Sequence, residues 1–256
     1  MTPVVRALLF ANVGVFFLQN TMPALARAFV FVPQLALLRP WSIVTYMFLH
    51  GSFMHILFNM IALYFFGPRV EERIGSRQFT ILYFLSGITG ALLSFVFAPS
   101  SPIIGASGAV FGVMLAFAYF WPHVQIFIWG ILPIPARMLV IITTVLALWG
   151  GFGSRGGGIA HFAHLGGYVG AFLYLKWMDR KRHTFKRRVQ AAPPEAAERA
   201  KAYDRIDMSR IHEVNREEVN RILDKISAKG VGSLTPQERV FLSNFVPPDD
   251  RVPPKT

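Results

Sequence analysis

The chain of 256 residues contains no cysteine and little charge, with Asp, Glu, Lys and Arg making up 16% of it against roughly 25% in an ordinary soluble domain. Without cysteine there is no disulfide framework, no thiolate metal site and no thiol nucleophile, so a side-chain nucleophile has to be a hydroxyl. The shortage of charge is local. Residues 1–175 hold 8 Lys and Arg and 2 Asp and Glu, whereas residues 176–256 hold 18 and 12. What fills the first region is apolar: 53% of the chain is hydrophobic, including 24 Phe and 5 Trp. The contrast implies two regions adapted to two solvents. The net charge of +12 does not point to nucleic acid, because acids and bases interleave in the tail; a membrane face fits the pattern better.

A helix needs roughly 20 apolar residues to cross a bilayer, fewer where the membrane thins or the segment is buried. Six stretches qualify: Val4–Asn20, Gly51–Phe66, Phe79–Ala98, Gly105–Trp121, Met138–Gly151 and Ile159–Met178. The fifth is short, and the apolar Val124–Ile134 before it, broken by proline, reads as an interfacial excursion. Lys and Arg near span ends mark the cytoplasmic side. The run from Arg180 to Arg188, the arginines 69, 73 and 77 between spans two and three, and Arg6 and Arg137 all fall there, leaving Arg27, Arg39 and Arg155 outside. Both termini are then cytoplasmic. A competing reading makes residues 1–26 a signal peptide cleaved after Ala24-Leu25-Ala26. It leaves five spans and sets the arginine-rich loop opposite the basic tail, against the charge rule.

Residues 179–210 read as a basic, polar linker and 211–256 as a small cytosolic helical hairpin. In Glu213–Ser227 the apolar Val214, Val219, Ile222, Leu223 and Ile226 recur at helical spacing, and Lys229-Gly230 ends the helix. Thr235-Pro236-Gln237-Glu238 has the form of a capping box opening a second helix with Val240, Phe241, Leu242 and Phe245. So small a unit is expected to dock on a partner, a second copy or the membrane face.

Polar groups inside spans are costly and therefore informative. His50, His55 and Asn59 begin span two, Ser107 begins span four, and His161 and His164 begin span six. In the topology above, all lie toward the outer leaflet. Ser107, in Gly105-Ala106-Ser107-Gly108 with Gly112 following, has two readings. It is either a small residue at a helix contact or a nucleophile at a helix N-terminus whose N–H groups support an oxyanion. A base for it has to be a histidine, because apart from Lys176 at the inner end the spans carry no Asp, Glu or Lys. His164 is preferred to His161, since Gly166, Gly167 and Gly170 would let its helix approach span four. His55 and Asn59, four apart, share one helix face and either tie span two to its neighbours or donate to a common oxyanion. His50, nearer the surface, reads as a structural group bonding loop carbonyls.

His55-Ile56-Leu57-Phe58-Asn59, Gly105-Ala106-Ser107-Gly108 and Ala163-His164-Leu165-Gly166-Gly167, in this order on spans two, four and six, resemble the three signature segments of rhomboid intramembrane serine proteases. The resemblance covers about residues 4–178 and includes Pro40-Trp41 before span two and Glu72-Arg73 after it. It implies an all-α, polytopic six-helix rhomboid bundle over residues 1–178, followed by the soluble helical tail, in a bacterial inner membrane. It makes Ser107 the nucleophile and His164 the general base and acid, without an Asp partner, metal or cofactor. His55, Asn59 and the Ser107 N–H would hold the oxyanion; His161, Phe111, Gly105, Gly108 and Gly167 would support the site. Phe111 stands where many members have a Tyr stacking on the histidine, and keeps the ring while losing the hydroxyl. The implied substrates are transmembrane helices that unwind locally, with a small residue before the scissile bond. The tail resembles cytosolic extensions of some bacterial rhomboids.

Three other readings compete. An inactive rhomboid-like binder of membrane proteins is disfavoured because both Ser107 and His164 are present. A metal site of His55, His161 and His164 lacks a carboxylate and any His-Glu-x-x-His segment. A transporter would show intramembrane charge and repeated halves.

Overall fold

The computed structural model describes residues 1–128, 130–153, 158–190, 203, 206–208 and 211–246. Arg155, with residues 154, 156 and 157 beside it, and residues 191–202 of the linker lie outside the described residues. The chain forms two compact units, Met1–Leu175 and Lys176–Thr256.

The first unit is built from α1 (Pro3–Thr21), α2 (Pro23–Phe29), α3 (Ser42–Thr45), α4 (Phe53–Ile74), α5 (Ser76–Phe97), α6 (Ser107–Phe120), a hairpin of β1 (Gln125–Ile128) and β2 (Leu132–Pro135), α7 (Ala136–Gly153) and the start of α8 (Gly158–Gln190). The helices α1, α4 and α5 are long and apolar enough to cross a membrane, while α6 and α7 are apolar but shorter. Their outward faces carry exposed Phe10, Phe17, Phe65, Val96 and Trp149, the surface expected against acyl chains.

The short α6 is the core of the unit. Nine of its 14 residues are buried, most of them Gly, Ala or Val, and α4, α5 and α7 pack around it. A helix sheathed by others does not need full bilayer length, because its ends can meet protein and water inside the bundle. At the end of α4, the buried Glu71 accepts the N–H groups of Val4 and Val5 at 3.0 Å each and the Ser76 hydroxyl at 2.7 Å. Its negative charge thus caps the N-terminus of α1. Nearby, Arg69 lies over Phe117 and Trp121 at 5.7 and 5.2 Å, and Arg73 over Phe120 at 5.7 Å, each cation resting on an aromatic face at a helix end.

Two features differ from the sequence expectation. The excursion before span five contains an antiparallel ribbon pairing Ile126 with Ile134 and Ile128 with Leu132. Pro133 and Pro135 are tolerated because the bonded positions alternate with them, as the Ala136 N–H to Val124 carbonyl bond of 2.9 Å shows, so both ring nitrogens face the free edge. The last apolar helix also continues past Met178 to Gln190, since Lys and Arg are good helix formers and nothing there breaks the run.

In the second unit, α9 (Glu213–Lys229) and α10 (Pro236–Ser243) pack around Val219, Ile222, Ile226, Leu234 and Leu242, joined by Tyr203, Ile206, Ile211 and Val246. Val214 falls outside the apolar stripe and is 79% exposed. The capping box forms in both directions: the Glu238 N–H donates to Thr235 Oγ1 at 3.2 Å, and the Thr235 N–H to Glu238 Oε2 at 2.9 Å.

Candidate active site

Ser107 is the first residue of α6, and the turn that delivers it is fixed from three sides. Gly105 has φ +115°, a region other residues rarely adopt, and a Cβ there would stand 2.6 Å from the His55 imidazole. The Gly105 N–H donates to the Tyr46 carbonyl at 2.9 Å. The Ala106 N–H donates to His50 Nε2 at 3.5 Å, and the other ring nitrogen of His50 lies 3.3 Å from the Phe48 carbonyl. These contacts assign His50 the tautomer with hydrogen on Nδ1. Gln19 of α1 in turn accepts the His50 N–H at 2.9 Å. His50 is thus a structural group that contacts a loop carbonyl, as its sequence position suggested, but it is fully buried under the serine turn and not near the surface.

His164 reaches the same point from α8. Its Nε2 lies 2.8 Å from Ser107 Oγ. Phe111, one turn after the serine, lies on the imidazole with ring centroids 4.0 Å apart and planes 15° from parallel. The close approach of α8 depends on glycine: a Cβ on Gly167 would overlap the Gly108 carbonyl. The other two glycines of that face serve a different neighbour. Gly166 packs on Gly90 of α5, where a Cβ would come within 2.7 Å of Gly90 Cα, and Gly170 packs on Thr89. The α8 glycine face therefore grips α5 as well as α6.

His55 and Asn59 lie on one face of α4 and line, with Ser107, His164, Phe111 and Met114, a cavity of about 520 Å³. The Gly51 N–H points to His55 Nδ1 at 3.4 Å, which leaves hydrogen on Nε2, the edge facing the serine turn. Asn59 Nδ2 donates one hydrogen to the His55 carbonyl at 2.9 Å. Its second hydrogen is not committed by that bond. His161 packs on α7 against Gly150, and its ring stands edge-on to His164 at 6.4 Å. Among the described residues no group of three His, Asp or Glu side chains could hold a metal ion.

Two residues with a clear place here, Tyr46 and the buried form of His50, escape motif reading. Tyr46 lines the cavity and donates its hydroxyl to the Gly87 carbonyl at 2.8 Å. The signal available in sequence was only their position, within ten residues before His55.

The Rhomboid domain family matches residues 38–181, more than half the chain, and a family of unknown function, DUF6576, matches residues 208–245. The chain is similar to Rhomboid protein 1, mitochondrial, of Saccharomyces cerevisiae, at 34% identity over 206 residues covering 73% of this chain and 57% of that protein. It is 38% identical to Rhomboid protease GluP of Bacillus subtilis over 134 residues, covering 52% of this chain and 25% of GluP. RHOMBOID-like protein 4 of Arabidopsis thaliana is 36% identical over 134 residues, 52% of this chain and 32% of the plant protein. The chain therefore spans between a quarter and under two thirds of the length of these relatives. By the match over residues 38–181 it belongs to the rhomboid family, and the apolar helices that carry the site make it a membrane protein.

Proposed function

We propose that the chain is an intramembrane serine endopeptidase that cleaves transmembrane helices near the outer leaflet through Ser107 and His164. The observation that carries this reading is the 2.8 Å contact between His164 Nε2 and Ser107 Oγ at the wall of a cavity that His55 and Asn59 also line. In that geometry His164 accepts the Ser107 proton as Oγ attacks a peptide carbonyl, and the proton then passes to the leaving amine. Water hydrolyses the acyl-enzyme with His164 again as base. The developing oxyanion would be held by His55 Nε2–H, the uncommitted Asn59 N–H and the Ser107 main-chain N–H. No carboxylate orients the base: the first 175 residues contain only Glu71 and Glu72, and Glu71 is engaged at the start of α1.

A transmembrane helix protects its own peptide bonds, so a substrate has to unwind locally, and helix-breaking residues near its outer end should favour cleavage. The reading includes six spans with both termini cytoplasmic, supported by the distribution of Arg and Lys, and a bacterial cell membrane as the setting. It also includes a protease domain over residues 1–178, a linker over 179–210 and a cytosolic hairpin over 211–256 that docks a partner or a second copy.

The test is cleavage of a model transmembrane substrate in liposomes by the wild type, Ser107→Ala and His164→Ala, with and without EDTA, their folding checked in parallel. Cleavage by the wild type alone, indifferent to EDTA, supports the reading. Binding of several substrates without cleavage by any of the three would replace it with an inactive rhomboid-like binder.

A further inference from the structure

With no carboxylate to hold it, the plane of the His164 ring depends on packing, and that packing continues beyond Phe111. Phe111 also meets Tyr168, ring centroids 5.2 Å apart at 45°. Tyr168 is one helical turn after His164 on α8 and only 7% exposed. Its hydroxyl lies 2.6 Å from Thr143 Oγ1 on α7. Thr143 Oγ1 is in addition 2.7 Å from the Leu139 carbonyl and 3.1 Å from that of Val140. The single Thr143 hydrogen goes to its own helix, so Tyr168 donates and Thr143 accepts. Tyr168 also lines a crevice of about 500 Å³ whose walls, apart from Tyr168 itself and Thr144, are apolar, among them Leu93, Leu115, Val140, Leu148 and Leu165, so losing the Thr143 bond is costly for the phenol.

We propose that Tyr168 is a positioning residue for the base, an assignment that rests on the protease reading. Its bond to Thr143 pins the phenol ring to α7, the ring backs Phe111, and Phe111 keeps the His164 imidazole in the plane that aims Nε2 at Ser107. The chain of contacts runs Thr143, Tyr168, Phe111, His164, Ser107, and couples the placement of α7 to the competence of the dyad. Neither Thr143 nor Tyr168 lines the cavity that holds Ser107, so the pin acts on the rate of the chemical step and leaves substrate binding unchanged.

The test measures kcat and KM in liposomes, and Tm in detergent, for wild type, Tyr168→Phe, Thr143→Val, the double variant and Thr144→Val. Thr144 is the control, because it borders the same crevice but its hydroxyl bonds the Val140 carbonyl of its own helix at 2.7 Å. Tyr168→Phe and Thr143→Val should each lower kcat about three- to tenfold with KM unchanged, and Thr144→Val should leave both at the wild-type value. Thr143→Val, which strands the phenol hydrogen, should lower Tm more than Tyr168→Phe. Adding Tyr168→Phe to Thr143→Val should raise Tm again, with kcat no lower than in the single variants. An active wild type with Thr143→Val indistinguishable from Thr144→Val, or with losses that multiply in the double variant, overturns the positioning role alone. A wild type that cleaves nothing overturns the protease reading and the positioning role with it.

Discussion

Within the spans of the first unit, buried and half-buried hydroxyls turn back on the main chain, Ser86 to the Leu82 carbonyl at 2.7 Å, Thr89 to Leu85 at 2.8 Å and Ser94 to Gly90 at 3.0 Å, and the buried carboxylate of Glu71 sits at the end of α4. In the second, the buried Glu238 is charged and gathers Lys225 Nζ at 2.7 Å, Arg221 at 2.9 Å and the Thr235 N–H at 2.9 Å. The packing differs in the same sense. Small residues face one another across the first unit, Gly112 on Ser86, Gly167 on Gly108, Gly170 on Thr89, whereas branched aliphatic side chains fill the second. Acyl chains are as apolar as leucine, so helices in a bilayer gain little from burying large side chains and hold together by close backbone approach. In water the gain comes from removing apolar surface, and charge can be kept if it is paired at the rim. One chain thus uses opposite remedies in its two solvents, and the site sits where the first is most stringent.

If that contrast is right, adding a methyl group should hurt the first unit more than removing several hurts the second. Gly167→Ala places a carbon into the Gly108 carbonyl with only backbone to give way, and should cost about 3 kcal/mol or more and abolish cleavage. A variant with wild-type Tm and activity would break the comparison. Ile222→Ala, in the opposite unit, removes methylenes from a fully buried position and should destabilise α9 by about 2–4 kcal/mol. Amide hydrogen exchange on the full-length protein reads this directly, with protection in α4 to α6 unchanged.

Within the site, Phe111→Ala should lower kcat about tenfold through loss of the ring on His164, while Phe111→Tyr should retain the wild-type rate. Equal rates for alanine and phenylalanine would show that stacking does not orient the base. The smallest effect is electrostatic and confined to the second unit. Lys225, the Thr235 N–H and Arg221 hold the Glu238 carboxyl down to about 2, from an ordinary value of 4.5. A depressed carboxylate stabilises the folded state above its unfolded pKa and loses that contribution as pH falls through the folded one. Exchange protection of α9 and α10 should therefore decline between about pH 4.5 and 2 in wild type, and Glu238→Gln should flatten that decline.

The parts of the fold that were legible in sequence are those with a period or a terminator of their own. Apolar runs marked the helices α1, α4 and α5, and Gly230 and the Thr235 to Glu238 box marked the ends of α9 and the start of α10. The ribbon at Gln125–Pro135 carried two prolines and only four residues per strand, so its pairing could be recognised only once both strands were in place. The site was half legible. Ser107, His164, His55 and Asn59 meet at one cavity, as the shared depth of their spans suggested, and Phe111, placed beside the histidine by the family resemblance, lines it too, whereas His161 does not. The supports under Ser107, from Tyr46 and His50, depend on main-chain bonds between segments distant in sequence, which no side-chain pattern announces.

The central claim is that Ser107 is a nucleophile made reactive by His164. It is tested most directly by treating the full-length protein in liposomes with a fluorophosphonate and locating the adduct by peptide mass spectrometry, in wild type and in His164→Ala. A single adduct on Ser107 is expected in the wild type and none in His164→Ala under the same conditions. An enzyme that cleaves its substrate with Ser107 unmodified, or a Ser107 that labels equally well without His164, would contradict it.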